Sequence, residues 1–181
     1  MEHDLQNSIA LLERTPAALD ALLNGLPDAW TETNEGGTTW SPRMVVAHLV
    51  FCEHEDWMPR VRMILDSGEQ QTFVPLDRQG SVREGSGKSL EQLLDELKRA
   101  RAKSLEELRE LHLATEDLER RGRHPTFGVV TLSQLLATWA AHDLTHLHQI
   151  SRIMAYQYRE AVGPWSRFLG VLHCAGHSES A

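Results

Sequence analysis

The chain has 181 residues, is 41% hydrophobic and 24% charged, and carries a formal net charge of −8. That length suits one domain over residues 1–181 with a sizeable core. The acidic balance, without any basic run, excludes nucleic acid or an anionic membrane surface as the main partner and leaves a small molecule. No apolar run approaches the roughly 18 residues that would span a bilayer. Met1-Glu2-His3-Asp4 is acidic and no hydrophobic stretch follows it, so no secretory signal is read and a cytoplasmic location is expected. Cys52 and Cys174 form neither a CxxC motif nor a disulfide framework.

The first helical pattern runs from about Leu5 to Leu26, carried by Ile9, Leu11, Leu12, Leu19, Leu22 and Leu23. Thr15-Pro16 inside it predicts either a kink or a fresh start. Leu26-Pro27 and Thr33 to Gly37 then read as a stop and a loop. Trp40-Ser41-Pro42 opens the second helix, with Ser41 as N-cap and Pro42 as first residue, and the apolar period continues to about Asp66. His48 lies within its apolar face. Cys52 and Glu55 follow one and two turns later on the same side, and His54 points away to solvent. A cysteine in that setting is ordinarily a small buried hydrophobe.

Ser67 to Lys88 is rich in Gly, Gln and Ser, long for a compact domain, and reads as a functional loop or a crossover. Ser89 with Gln92 forms a capping box for the third helix, which runs to about His112. Its polar positions, Glu91, Asp95, Glu96, Lys98, Arg99 and Arg101, read as a solvated face laced with ion pairs. Glu116 to Val130, with Arg120, Arg121, Arg123 and His124, reads as a loop. Thr131 caps the fourth helix, from Leu132 to about Tyr158. Gly163-Pro164 ends the pattern, and Trp165 to Ala175 is a short helix or tail. No strand-like alternation of useful length occurs. Four amphipathic segments predict an all-α four-helix bundle over about residues 4–158, with a crossover between the second and third helices and an extension over 159–181.

His142 and His146 are four apart in the fourth helix, so they share a face with their Cβ atoms about 5–6 Å apart. Gln149 falls on that face and His148 does not. The pair interrupts an apolar stripe of Leu135, Thr138, Trp139 and Ile153, where polar rings need partners. One divalent metal ion held by both rings supplies them, and a third protein ligand is then required. Cys52 and the loop residue His124 are possible. A rigid bundle helix positions a ligand better than a loop, which favours His48.

The start Trp40-Ser41-Pro42-Arg43-Met44-Val45-Val46-Ala47-His48, followed late by His142-x-x-x-His146-x-x-Gln149, resembles the DinB-like superfamily, with its YfiT-type and thiol-transferase relatives. The resemblance runs from the first helix to about Tyr156. It implies a four-helix bundle and a homodimer. It also implies a divalent metal such as nickel, zinc or manganese on His48, His142 and His146, and for some members a low-molecular-weight thiol such as bacillithiol or mycothiol.

Three neutral imidazoles leave such an ion its full charge, so it would activate a bound water or deprotonate a thiol. The expected function is thus transfer of a thiol to a small electrophile, or its hydrolysis, with Glu55 as the nearest candidate base or supporting residue. A non-enzymatic, stress-associated metal-binding protein is the alternative. A zincin-type protease is a lesser one, because His142-Asp143-x-x-His146 puts Asp143 where H-E-x-x-H has a longer Glu.

Overall fold

The computed structural model describes residues 3–77 and 79–174. Four long helical stretches make a bundle. The first is α1 (Leu5–Leu12) followed by α2 (Thr15–Leu23). Pro16 in the first turn of α2 makes the second piece a fresh start. Its missing N–H is tolerated there and would not be in a helix interior. A short α3 (Asp28–Thr31) leads to α4 (Pro42–Glu55), where Ser41 accepts the Met44 N–H as the sequence predicts.

The second stretch is not one helix to Asp66. Asp56 adopts φ −112°, ψ −64°, and α5 (Trp57–Ser67) starts anew after it. Pro59 explains the break. Its ring would clash with the carbonyl four residues back, so it is accommodated in the first turn of a new helix. The crossover contains α6 (Gly80–Gly85), which lies against α4. The third stretch is α7 (Leu90–Glu110), opened by the expected Ser89/Gln92 capping box. A short α8 (Thr115–Leu118) precedes a β-hairpin, β1 (Arg121–His124) and β2 (Gly128–Thr131).

This antiparallel hairpin replaces the loop expected at 116–130. Its strands are four residues long, too short to print an alternation, and Gly122 lets the first lie flat on Ile64 and Phe73. The fourth stretch is α9 (Leu132–Tyr156), capped by Thr131 in a capping box with Gln134. Beyond it, Gly163–Phe168 and Gly170–Leu172 are 3₁₀ turns. Ala175 lies outside the described residues. Among the described residues no helix is long and apolar enough to cross a membrane.

The core has two apolar halves. One gathers Ile9, Leu12, Trp57, Leu105, Leu132, Leu135 and Trp139. The other gathers Leu19, Val46, Leu49, Leu93, Leu97, Ile150 and Ile153. A polar layer separates them. Arg101 is 2% exposed, Glu53 4% and Asp143 1%. The Arg101 Nε donates to Glu53 Oε1 at 2.8 Å, and Nη1 and Nη2 donate to the two oxygens of Asp143 at 2.6 and 3.0 Å. Nη1 also donates to the Leu12 carbonyl at 2.8 Å, and Trp139 Nε1 donates to Glu53 Oε1 at 3.0 Å. Arg101 therefore does not belong to the solvated face of the third helix. At position 101 it falls between Leu97 and Leu105 on the buried stripe, one turn from each. Thr138 corrects the fourth helix in the opposite sense: it is exposed, and its hydroxyl bonds back to the Gln134 carbonyl.

Removing one member of a buried ionic set strands the others in low dielectric, at a cost of about 3–5 kcal/mol. Arg101→Ala should lower the urea unfolding free energy by about that amount. Arg109→Ala, which breaks the exposed pair with Glu13, should cost less than about 1 kcal/mol.

Candidate metal centre

The polar layer continues into a cluster of three imidazoles. Val45, Val46 and Leu49 seat α4 in the core and turn His48 toward α9. On α9, Trp139 and Ile150 do the same for His142 and His146. His48 Nε2 lies 3.2 Å from His142 Nε2, which lies 3.0 Å from His146 Nε2. The ligand atoms of the three all lie within 4.8 Å of one another. Trp40 leans on the His48 ring at 5.0 Å, and Trp57 meets the His142 ring edge-on at 5.1 Å.

The outer nitrogens fix the rings. His146 Nδ1 is 2.7 Å from Gln149 Oε1, and His48 Nδ1 is 2.9 Å from Ser81 Oγ on α6. The Gln149 oxygen can only accept, so His146 carries its proton on Nδ1 and presents a bare Nε2. Such a hydrogen bond is the usual support of a metal-binding histidine. His142 Nδ1 has no partner among the described residues.

Burial pushes the His48 pKa down to about 3, and a charge on His146 would push it further in the same direction. His142 is held well below 6.5, chiefly by burial and then by His146, His48 and Arg101. His146 is lowered by burial, with Gln149 and Asp143 opposing. All three are neutral at neutral pH, the state a metal ligand needs.

Three neutral rings with converging nitrogens cannot satisfy one another. With its proton on Nε2, His142 can donate along one of its two short contacts and has no lone pair for the other; with the proton on Nδ1, its bare Nε2 faces the bare Nε2 of His146 about 3 Å away. One shared cation satisfies all three. Ligands about 2.0–2.1 Å from a tetrahedral ion stand about 3.3 Å from each other, close to the spacing observed. The donor set therefore fits a divalent metal.

The other candidates do not join the three converging nitrogens. Cys52 is fully buried, with Sγ 3.5 Å from His48 Nε2. Burial first, then the charges of Asp56 and Glu53, push its thiol far up, which keeps it from being a thiolate. His124 is in the hairpin, where Nδ1 accepts the backbone N–H groups of Thr126 and Phe127. Glu55 ends α4 exposed, in a shallow groove with Phe51, Gly80 and Lys88. It shares His48's side of the helix, but at the solvent-exposed rim. The buried carboxylate of that turn is Glu53. Asp143, the zincin-like position, spends both oxygens on Arg101. His148 is half-buried and outside the cluster. Ser81, Glu53 and Arg101 escape a reading by motif. For the two charges the signal was there, since each occupies an apolar-stripe position.

A model of the DinB superfamily matches residues 11–150. The chain belongs to the DinB superfamily. Among solved structures it resembles YfiT from Bacillus subtilis, described as a probable metal-dependent hydrolase with an unusual four-helix bundle topology. Identity is 22%, coverage 87% of each chain, and the TM-score 0.71. It also resembles TT2238, described as a four-helix bundle protein, at 26% identity, with 82% of this chain and 98% of that one covered and a TM-score of 0.58. These likenesses bear out the all-α bundle. No curated protein matches the chain.

The lowered histidine pKa values set a pH dependence for the metal-free protein. Unfolded histidines titrate near 6.5, above their folded values, so below that pH the unfolded chain binds more protons. Stability should fall as pH drops from about 6.5 toward about 3. In denaturant titrations across that window, His48→Ala should show a shallower loss, by at most about 1.4 kcal/mol per pH unit.

Proposed function

We propose that this DinB superfamily protein is a metal-dependent enzyme in which His48, His142 and His146 hold one divalent cation, such as nickel, zinc or manganese. The observation that carries the reading is the convergence of three neutral imidazole nitrogens at 3.0 and 3.2 Å. Bound there, the cation would polarise a water or a low-molecular-weight thiol at neutral pH. The reaction class is attack by that nucleophile on a small electrophile, as hydrolysis or as thiol transfer with a thiol such as bacillithiol or mycothiol. The description of YfiT as a probable metal-dependent hydrolase supports the water-based version.

The chain's own residues have distinct tasks. Gln149 holds His146 in the tautomer that offers Nε2. Trp40 and Trp57 pack against two of the rings and limit water beside them. Glu53, Asp143 and Arg101 sum to one negative charge buried next to the site, which offsets part of the charge of a cation. Among the described residues no carboxylate joins the three nitrogens, so at least one position is left for water or substrate, which suits an enzyme better than a closed structural site.

Protein purified without a histidine tag should hold one equivalent of metal. His48→Ala, His142→Ala and His146→Ala should each lose it, and Cys52→Ala and His124→Ala should retain it, by elemental analysis. Loss in Cys52→Ala with retention in His48→Ala would contradict the three-histidine site. Turnover of ester, amide or electrophile panels, with and without thiols, then assigns the reaction.

A further inference from the structure

The crossover that carries α6 is more than a connection, because it reaches one of the three histidines. Two close approaches seat it. A Cβ on Gly80 would stand 2.1 Å from Phe51 Cζ, and one on Gly85 would stand 3.0 Å from the Cβ of Ala47. Only a helix lacking both side chains lies this near α4. Phe51 and Ala47 flank His48 along α4, so the seating sets Ser81 over the His48 ring. Ser81 is itself buried, with Oγ 2.9 Å from His48 Nδ1. Arg43 Nη1 ties the far end of α6 to α4 by donating to the Gly85 carbonyl at 3.0 Å.

We propose that Ser81 is a positioning residue for the three-histidine site and that, through it, metal loading is coupled to the order of α6. The inference rests on the metal reading above. A hydroxyl both donates and accepts, so without a metal Ser81 serves either neutral tautomer of His48. A cation on Nε2 leaves one arrangement: the proton sits on Nδ1 and donates to Ser81 Oγ. The metal therefore selects the state in which α6 acts as the acceptor. By reciprocity, a seated α6 favours the His48 tautomer that binds metal. Gln149 gives His146 the same support, but from the same helix, one turn on. Ser81 gives it from a separate, short element, which turns a local hydrogen bond into a link between the site and the crossover.

The test uses the full chain and zinc(II) alone, with wild type and Ser81→Ala. Zinc affinity, by competition with a chromophoric chelator, should fall roughly 10- to 100-fold in the variant. The zinc-loaded wild type should show a slowly exchanging His48 Nδ1–H signal in nitrogen-15 spectra, absent from Ser81→Ala. Zinc should slow hydrogen exchange of the Gly80–Gly85 amides about tenfold or more in wild type and not in the variant. Metal-free melting should fall only by the modest amount expected for one lost buried hydrogen bond. Zinc affinity within about threefold of wild type, or unchanged exchange over α6 on loading wild type, overturns the proposal. So does a Ser81→Ala chain that melts far below wild type, which would make Ser81 merely structural. A wild type that takes up no zinc, nickel or manganese overturns the metal reading itself, and this inference with it.

Discussion

The guanidinium of Arg101 is the contact on which the arrangement depends. It touches all four helical stretches: its own α7, Glu53 on α4, Asp143 on α9 and the last carbonyl of α1. A buried arginine is tolerable only when its donors are met, and the planar fork fixes where the acceptors stand. Glu53 is five residues from His48 on one helix, and Asp143 adjoins His142 on another. Setting those two carboxylates relative to Arg101 therefore sets α4 against α9. The convergence of His48 with His142 and His146 is the consequence. An all-apolar layer would hold the bundle together as well, or better. It would specify the relative positions of the two histidine-bearing helices less sharply.

The same layer accounts for the electrostatics of the site. Burial keeps the imidazoles neutral, and the Arg101 charge reinforces that for His142. A cluster of neutral nitrogens without a cation is an unsatisfied arrangement, costly in a core. The two apolar halves above and below make it costlier by excluding water. A cation held between the three nitrogens would relieve that cost. The superfamily match and the likeness to four-helix bundle proteins establish the scaffold. The reaction rests on the site.

Much of this was legible from local chemistry. The Ser41, Ser89 and Thr131 caps, the period of the four helices and the i, i+4 spacing of His142 and His146 all depend on near neighbours in the chain. Placing His48 opposite that pair needed only the bundle and its buried face. What escaped depends on distant partners. By sequence Arg101 reads as surface because arginine usually is, although Leu97 and Leu105 bracket it on the apolar stripe. Its partners are 48 and 42 residues away, and no periodicity reveals them. The break at Asp56 was encoded in Pro59, whose effect falls on a residue before it. The hairpin is hidden because its strands are only four residues long and the first, Arg121–His124, is mostly polar. Glu55 and Glu53 differ by two positions, which on a helix means opposite sides, and only the packing of α7 and α9 decides which carboxylate is buried.

In the proposed site three imidazole nitrogens, and no sulfur, meet at one cation. X-ray absorption at the zinc edge of the loaded protein tests it most directly. The expected result is three nitrogen scatterers at about 2.0–2.1 Å with the outer-shell pattern of imidazole, completed by oxygen. A sulfur scatterer at about 2.3 Å, which would bring Cys52 into the site, would contradict it, as would an oxygen-only shell.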